Sequence, residues 1–295
     1  MRPVYRPDRS AEPSRILVHR SARTRRLVID GTFASLWRLD RIATGSVWDA
    51  LAAPLLVLPP ARRRSVLMLG LGAGSAARVV RAIAPRARIV GVELDARVVD
   101  AARRHFALDA VGVEVVQDDA ARFLARERGR FDLVIEDIFV GRGRRLHKPA
   151  WLPEPGLALA ARRLAPGGIL VCNAIDEARA ASRVLAGLLP HRVVLRYADF
   201  DNSVLVASTR PLDARGLRAA IAADPVLGGA LGRVALRTLG APGPPPRQRG
   251  RLEYPGKSPR SGRAQRGEAE RSSSRRAAAR QPTAPQPPRQ RDRPK

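Results

Sequence analysis

The stretch VLMLGLGAGS, residues 66–75, sets Gly70, Gly72 and Gly74 directly behind four apolar residues. A glycine turn of this kind, where a buried strand becomes a helix, bares backbone N–H groups that can hold a nucleotide-like ligand. The spacing is G-x-G-x-G, and Ser75 stands where a dinucleotide motif needs its last glycine. That suits a ligand without a pyrophosphate. Glu93 follows about twenty residues later, where a carboxylate can accept from both hydroxyls of a ribose. Asp118 and Asp119 close the next apolar run, within reach of an adenine amino group. NAD and S-adenosylmethionine both satisfy these requirements. Each residue also has a plainer role: the glycines can relieve crowding, and Glu93, Asp95, Asp118 and Asp119 can cap the helices that follow them.

The elements needed to position these groups are legible as alternation. Strand 66–70 precedes the helix AARVVRAIA, RIVGVEL precedes ARVVDAARRHFAL, VEVVQ precedes AARFLARE, and FDLVIED precedes a loop and GLALAARRL. GILVCNAID follows the turn Pro166-Gly167-Gly168, and EARAASRVLAGLL follows that strand. Strand and helix repeated in this order predict a parallel sheet wrapped by helices, with ligands at the carboxyl ends of its strands. The last two runs, RVVLRYA and SVLVAST, are separated by Asp199–Asn202 alone, too few residues for a parallel crossover. They must form a hairpin that puts an antiparallel strand into the sheet, and this counts against a dehydrogenase. The fold class predicted is α/β, a Rossmann-like, seven-stranded, mostly parallel sheet. Before it, RILVHR and RRLVIDGTFASLWRL read as β-strands joined at a tight type I′ turn, Asp30-Gly31. Ser46 and Asp49 read as a capping box opening a helix that Pro59 and Pro60 end.

Of the 295 residues 45% are hydrophobic, ample for a core, and the net charge is +27. Residues 241–295 hold 15 Lys and Arg against 4 Asp and Glu, a net +11. They are rich in Pro, Gly, Ser and Gln with few large apolar residues, so a disordered tail is expected. The boundaries expected are 1–60 for the β-hairpin unit and first helix, 61–239 for the nucleoside-binding domain, and 240–295 for the tail. Its charge reads first as a solvated surface, with weak binding of nucleic acid or an acidic partner as the alternative. A single cysteine, Cys172, excludes an intramolecular disulfide and reads as a buried thiol. His105 and His191 lack metal-ligand spacing, so no metal is expected. With no signal peptide, and with ALAAPLLVLPPA too short and too proline-broken to span a bilayer, a cytoplasmic protein off the membrane is expected. A homodimer is left open.

Five segments, LVIDG, VGVELDARVVDAARRHF, DDAARFL, FDLVIEDIFVG and NSVLVAS, resemble the class I S-adenosylmethionine-dependent transferases, and among them the polyamine aminopropyltransferases, the spermidine-synthase-like proteins. The likeness runs from about Arg15 to Arg210. It implies that Glu93 holds the donor ribose, Asp119 the adenine, and that Asp137 assists the chemistry. The co-substrate implied is S-adenosylmethionine or its decarboxylated form, and the acceptor a small-molecule amine. The chain departs from the family pattern at Val140, where a second aspartate is expected, in the glycine turn GLGAGSAAR, where an aspartate is expected after the third glycine, at Ala34 and at Val47-Trp48-Asp49. Arg142, Arg144, Arg145 and Lys148 are expected at the mouth of the site, where like charge would repel a polycation. Methyl transfer to another acceptor is one alternative. A catalytically inactive nucleoside-binding protein with a nucleic-acid-binding tail is the second. Trp37, Trp48 and Trp151 are candidates for the acceptor pocket or for simple packing.

Overall fold

Apolar runs that are buried on both faces need a helical layer on each side, and the chain supplies two. The computed structural model describes residues 14–240. The expectation of a disordered basic tail lies outside the described residues.

Three antiparallel strands come first: β1 (Ile16–Arg20), β2 (Thr24–Ile29) and β3 (Thr32–Arg38). Asp30 and Gly31 have φ of 49° and 81°, the pair of positive values that a type I′ turn requires. The helix after them is shorter than the sequence suggests. Helix α1 (Val47–Ala52) gives way at Pro54 to a 3₁₀ turn, because proline has no N–H to continue the ladder. The expected capping box does not form. Ser46 makes no side-chain cap, and the buried Asp49 carboxylate accepts instead from Thr44 N (2.8 Å), Thr44 Oγ1 (2.8 Å) and Gly45 N (2.7 Å).

The main sheet is built from β4 (Ser65–Leu69), β5 (Arg88–Glu93), β6 (Val113–Gln117), β7 (Phe131–Glu136), β8 (Leu164–Ala174), β9 (His191–Tyr197), β10 (Ser203–Ser208) and β11 (Val234–Leu239). Their spatial order is β11-β9-β10-β8-β7-β4-β5-β6. Strands β4 to β8 pair in parallel, and β10 runs antiparallel between β8 and β9, as the short connection demands. The seven expected strands are present, and β11 adds an eighth, antiparallel to β9 at the edge.

Alternate residues along each strand reach opposite faces. Val66, Met68, Leu133, Ile135, Ile169 and Val171 pack under α1, α2 (Ser75–Ile83), α3 (Ala96–Phe106) and α7 (Ala214–Ala222). Leu67, Leu69, Val134, Leu170, Cys172 and Leu205 pack under α4 (Ala120–Arg126), α5 (Gly156–Ala161) and α6 (Ala178–Leu188). Both faces being covered, the carboxyl ends of β4, β5, β6, β7 and β8 are left to open into a cavity. Among the described residues no helix is long and apolar enough to cross a membrane.

Candidate active site

The glycine turn is strapped to the neighbouring strand: Gly70 N and Leu71 N both donate to Val92 O, at 3.0 and 3.1 Å. All three glycines have positive φ, at 87°, 54° and 79°. At Gly70 a Cβ would lie 2.5 Å from the carbonyl oxygen of Asp137, so the close approach is to the end of β7. At Gly72 it would lie 2.7 Å from Ser35 Oγ in β3, the hydroxyl that accepts from Ala73 N at 2.8 Å. The turn is thus bare partly to dock the N-terminal sheet. Gly70 and Gly72 line the cavity, whereas Gly74 caps α2 and packs on Leu108.

Glu93, at the end of β5, faces this turn. Its Oε2 accepts from Gly72 N at 2.9 Å and its Oε1 from Asp95 N at 3.2 Å. Burial pushes the Glu93 carboxyl up. Asp95 is the N-cap of α3 and pairs with Arg97 at 2.5 Å. Asp118 is buried and paired with Arg122 (2.5 Å) and with Arg126, while Asp119 caps α4 by accepting from Arg122 N at 2.9 Å. Both aspartates line the same cavity as Glu93. The helix-capping role therefore holds for Asp119 alongside its place in the wall.

Asp137 follows β7 directly, and its N–H extends the ladder to Leu69 O at 2.9 Å. Its Oδ1 accepts from Asn173 Nδ2 at 2.7 Å, and Asn173 Oδ1 accepts from Asn202 Nδ2 at 2.9 Å. This amide chain aims the carboxylate. Burial raises the Asp137 pKa from 3.8 to about 6, against the lowering effects of the Asn173 hydrogen bond and the Lys148 charge and with the carboxylates of Glu136 and Glu93 adding to the rise. A carboxylate of that pKa is ionised near neutrality yet basic enough to take a proton. Neither asparagine was singled out from sequence. The available signal is a polar residue at a strand end, Asn173 at the carboxyl end of GILVCNAID and Asn202 at the amino end of the antiparallel strand SVLVAS.

The arm after Asp137 corrects the expected cluster of cations at the mouth. Lys148 is buried, with Nζ 2.6 Å from Glu136 Oε1 and 2.8 Å from Ile138 O, over the Phe139 ring at 4.0 Å. Two charges sharing one dry site neutralise each other, and so Lys148 turns inward. Glu136 also accepts from Cys172 Sγ at 3.1 Å and from Ile138 N at 2.8 Å. Burial holds the Cys172 thiol well above its ordinary pKa, so it is a protonated donor. The arm folds back on itself through the paired backbones of Val140 and His147. Its tip meets the N-terminal sheet through Gly143 N to Asp30 O (3.1 Å) and Arg142 to the Asp30 carboxylate (3.7 Å).

The cleft so formed measures about 940 Å³, at the large end of small-molecule sites. Trp48 and Trp151 belong to its wall, whereas Trp37 packs against the Arg78 guanidinium at 4.3 Å.

A family model described as a methyltransferase domain matches residues 66–168, the span from β4 into β8. A probable polyamine aminopropyl transferase of Bifidobacterium longum is 30% identical over 136 residues, 45% of this chain and 29% of that protein. A polyamine aminopropyltransferase of Mycobacterium tuberculosis is 40% identical over 126 residues, 38% of this chain and 23% of that protein. The crystal structure of a probable spermidine synthase from Corynebacterium glutamicum superposes with a TM-score of 0.60 at 22% identity, covering 77% of this chain and 88% of that one. The chain has the class I methyltransferase fold and is similar in sequence to polyamine aminopropyltransferases. It spans less than a third of the length of these two curated relatives. In this chain the glycine turn, Glu93, the Asp118-Asp119 pair and Asp137 all stand at the carboxyl ends of parallel strands and share one cavity.

Proposed function

We propose that the protein transfers an aminopropyl group from decarboxylated S-adenosylmethionine to a small-molecule amine. The observation that carries this reading is Asp137, a buried carboxylate aimed by Asn173 and Asn202 beside the glycine turn. A sulfonium activates the carbon next to it, so what the protein must supply is alignment and a proton acceptor. The amine lone pair forms the new N–C bond, the C–S bond breaks, and its electron pair returns to sulfur to give a neutral thioether. The proton released from nitrogen passes to the Asp137 carboxylate. Glu93 would hold the ribose, Gly70 and Gly72 the arm, and Asp118-Asp119 the adenine end.

Which donor is used turns on the carboxylate that distinguishes S-adenosylmethionine from its decarboxylated form. The cations in the wall are committed: Arg97 pairs with Asp95 and Arg142 with Asp30. Arg78, on the helix after the glycine turn, stacks on Trp37 and leaves two guanidinium nitrogens without a hydrogen bond, but it is not part of the cavity wall. This favours a donor with no carboxylate to neutralise. Titration calorimetry with the two donors and with methylthioadenosine, followed by mass analysis of amine products, tests the reading. Tighter binding of the decarboxylated donor and products heavier by one aminopropyl group are expected. Tighter binding of S-adenosylmethionine, with methylated products, would establish methyl transfer instead. A Glu93→Gln chain is expected to lose about tenfold to a hundredfold in donor affinity, the range for a charge-assisted hydrogen bond weakened at a ribose.

A further inference from the structure

The carboxylates of the cavity wall are nearly all spoken for. Asp30 accepts from Arg15 N at 2.8 Å and pairs with Arg142. Asp95 pairs with Arg97, and Asp118 with Arg122 and Arg126. Asp119 caps α4, and Glu93 is engaged by two backbone N–H groups next to the glycine turn. Asp137 differs. Among the described residues that line the cavity, it is the carboxylate hydrogen-bonded by an amide side chain and lacking an ion pair, and one carboxylate can serve one ammonium.

On the elements that hold Asp137, no other carboxylate among the described residues lines the cavity: Glu136 is buried against Lys148, and Asp199 pairs with Arg233. Ile138, Phe139 and Val140 follow it on the arm, Ile175 lies two residues past Asn173, and Phe200 two residues before Asn202; all five line the cavity. An aromatic face can hold a cation, but two are already taken, Lys148 Nζ lying over Phe139 at 4.0 Å and Arg26 over Phe33 at 5.7 Å. Trp48 packs at right angles to Phe33 and Phe200 to Tyr197, and Trp151 is almost wholly buried. The donor itself brings positive charge into the same space. A second ammonium on the acceptor would therefore be desolvated without a partner, whereas an alkyl or aryl body would bury against matching surface.

We propose that the acceptor is a monoamine carried on an apolar or aromatic body, not a polyamine chain with a second ammonium group. The proposal rests on the aminopropyl reading above, and the product it implies is a secondary amine bearing a single added aminopropyl arm.

The test uses the full chain with decarboxylated S-adenosylmethionine and compares phenethylamine and hexylamine with putrescine and spermidine, products being read by mass. The monoamines are expected to exceed putrescine in kcat/KM by about a hundredfold or more, the effect of leaving a buried charge unpaired. A Val140→Asp substitution puts a second carboxylate into the wall three residues past Asp137, and is expected to move the putrescine to phenethylamine ratio up by about tenfold. Calorimetric titration of the same amines into the unaltered protein loaded with methylthioadenosine should give the same ranking without turnover. Putrescine used or bound as well as phenethylamine overturns the inference, as does an unmoved ratio in a folded Val140→Asp chain. Donor binding separates the two levels: a donor that binds while diamines win sinks this inference alone, and a donor that does not bind sinks the aminopropyl reading with it.

Discussion

Asp137→Asn should make the protein more stable at neutral pH while destroying its chemistry. In the folded chain Asp137 titrates at about 6, against an ordinary value of 3.8, because burial disfavours its charge more than Asn173 and Lys148 restore it. Between those two values the unfolded chain has released the proton and the native chain still holds it. The native state binds more protons there, so stability falls as pH rises through this window and the loss is complete above about 6. At about 1.4 kcal/mol per pH unit, the penalty carried at pH 7.5 is about 3 kcal/mol. The amide is uncharged, keeps the shape and still offers an oxygen to Asn173 Nδ2, so it escapes most of that penalty. For a folded unit of this size about 3 kcal/mol corresponds to roughly 6 to 12 °C in Tm. Thermal unfolding of both proteins from pH 4 to pH 8 is the assay, because groups common to both cancel in the difference. The Tm difference should be near zero at pH 4 and reach its full size by pH 7.5, with kcat/KM down by about a hundredfold or more. A difference that stays flat with pH, or a variant less stable at pH 7.5, would refute the reasoning.

Lys148→Met strands the Glu136 carboxylate, whose partner Nζ lies at 2.6 Å with both side chains almost wholly buried; it should cost about 3 to 5 kcal/mol by urea denaturation. Adding Glu136→Gln should return most of that loss, and a double variant no better than the single one would show that the pair is not the cause. In a Lys148→Met chain that folds, the pKa in the pH–rate profile assigned to Asp137 should move upward, since the Lys148 charge lowers it. Gly70→Ala would place a methyl 2.5 Å from the Asp137 carbonyl oxygen at φ of 87°; a loss of about 3 kcal/mol or more is expected from strain and displacement of the base together, read as the urea midpoint.

The sheet is legible because both its faces are covered, which leaves apolar runs such as VLML in β4 and LVI within β7 that stand out in the sequence. Strand β11 escaped for the opposite reason. Only Val234 of its six residues is buried, and it is a strand by virtue of pairing with β9 rather than by any pattern of its own. Carboxylates at strand ends were legible because topology fixes where those ends lie. Their partners were not, since Asn173 and Asn202 reach Asp137 across 36 and then 29 residues of chain. The charge of Lys148 misled in the same way: in sequence it sits among arginines on a loop, and only the fold reveals Glu136 behind it. The three glycines look alike in sequence. In the folded chain one clears a carbonyl of β7, one a serine of β3 and one a leucine beyond α3.

The loop joining β9 to β10 contains both Asn202, which steers Asn173 toward Asp137, and Phe200, which forms part of the wall that an acceptor meets. If Asp137 is the base proposed above, a handful of adjacent positions governs both how strongly it pulls a proton and what shape of amine can present one. Exchanging that loop between related chains should transplant basicity and acceptor range as a unit, while the nucleoside end of the cavity, anchored on other strands, stays as it was.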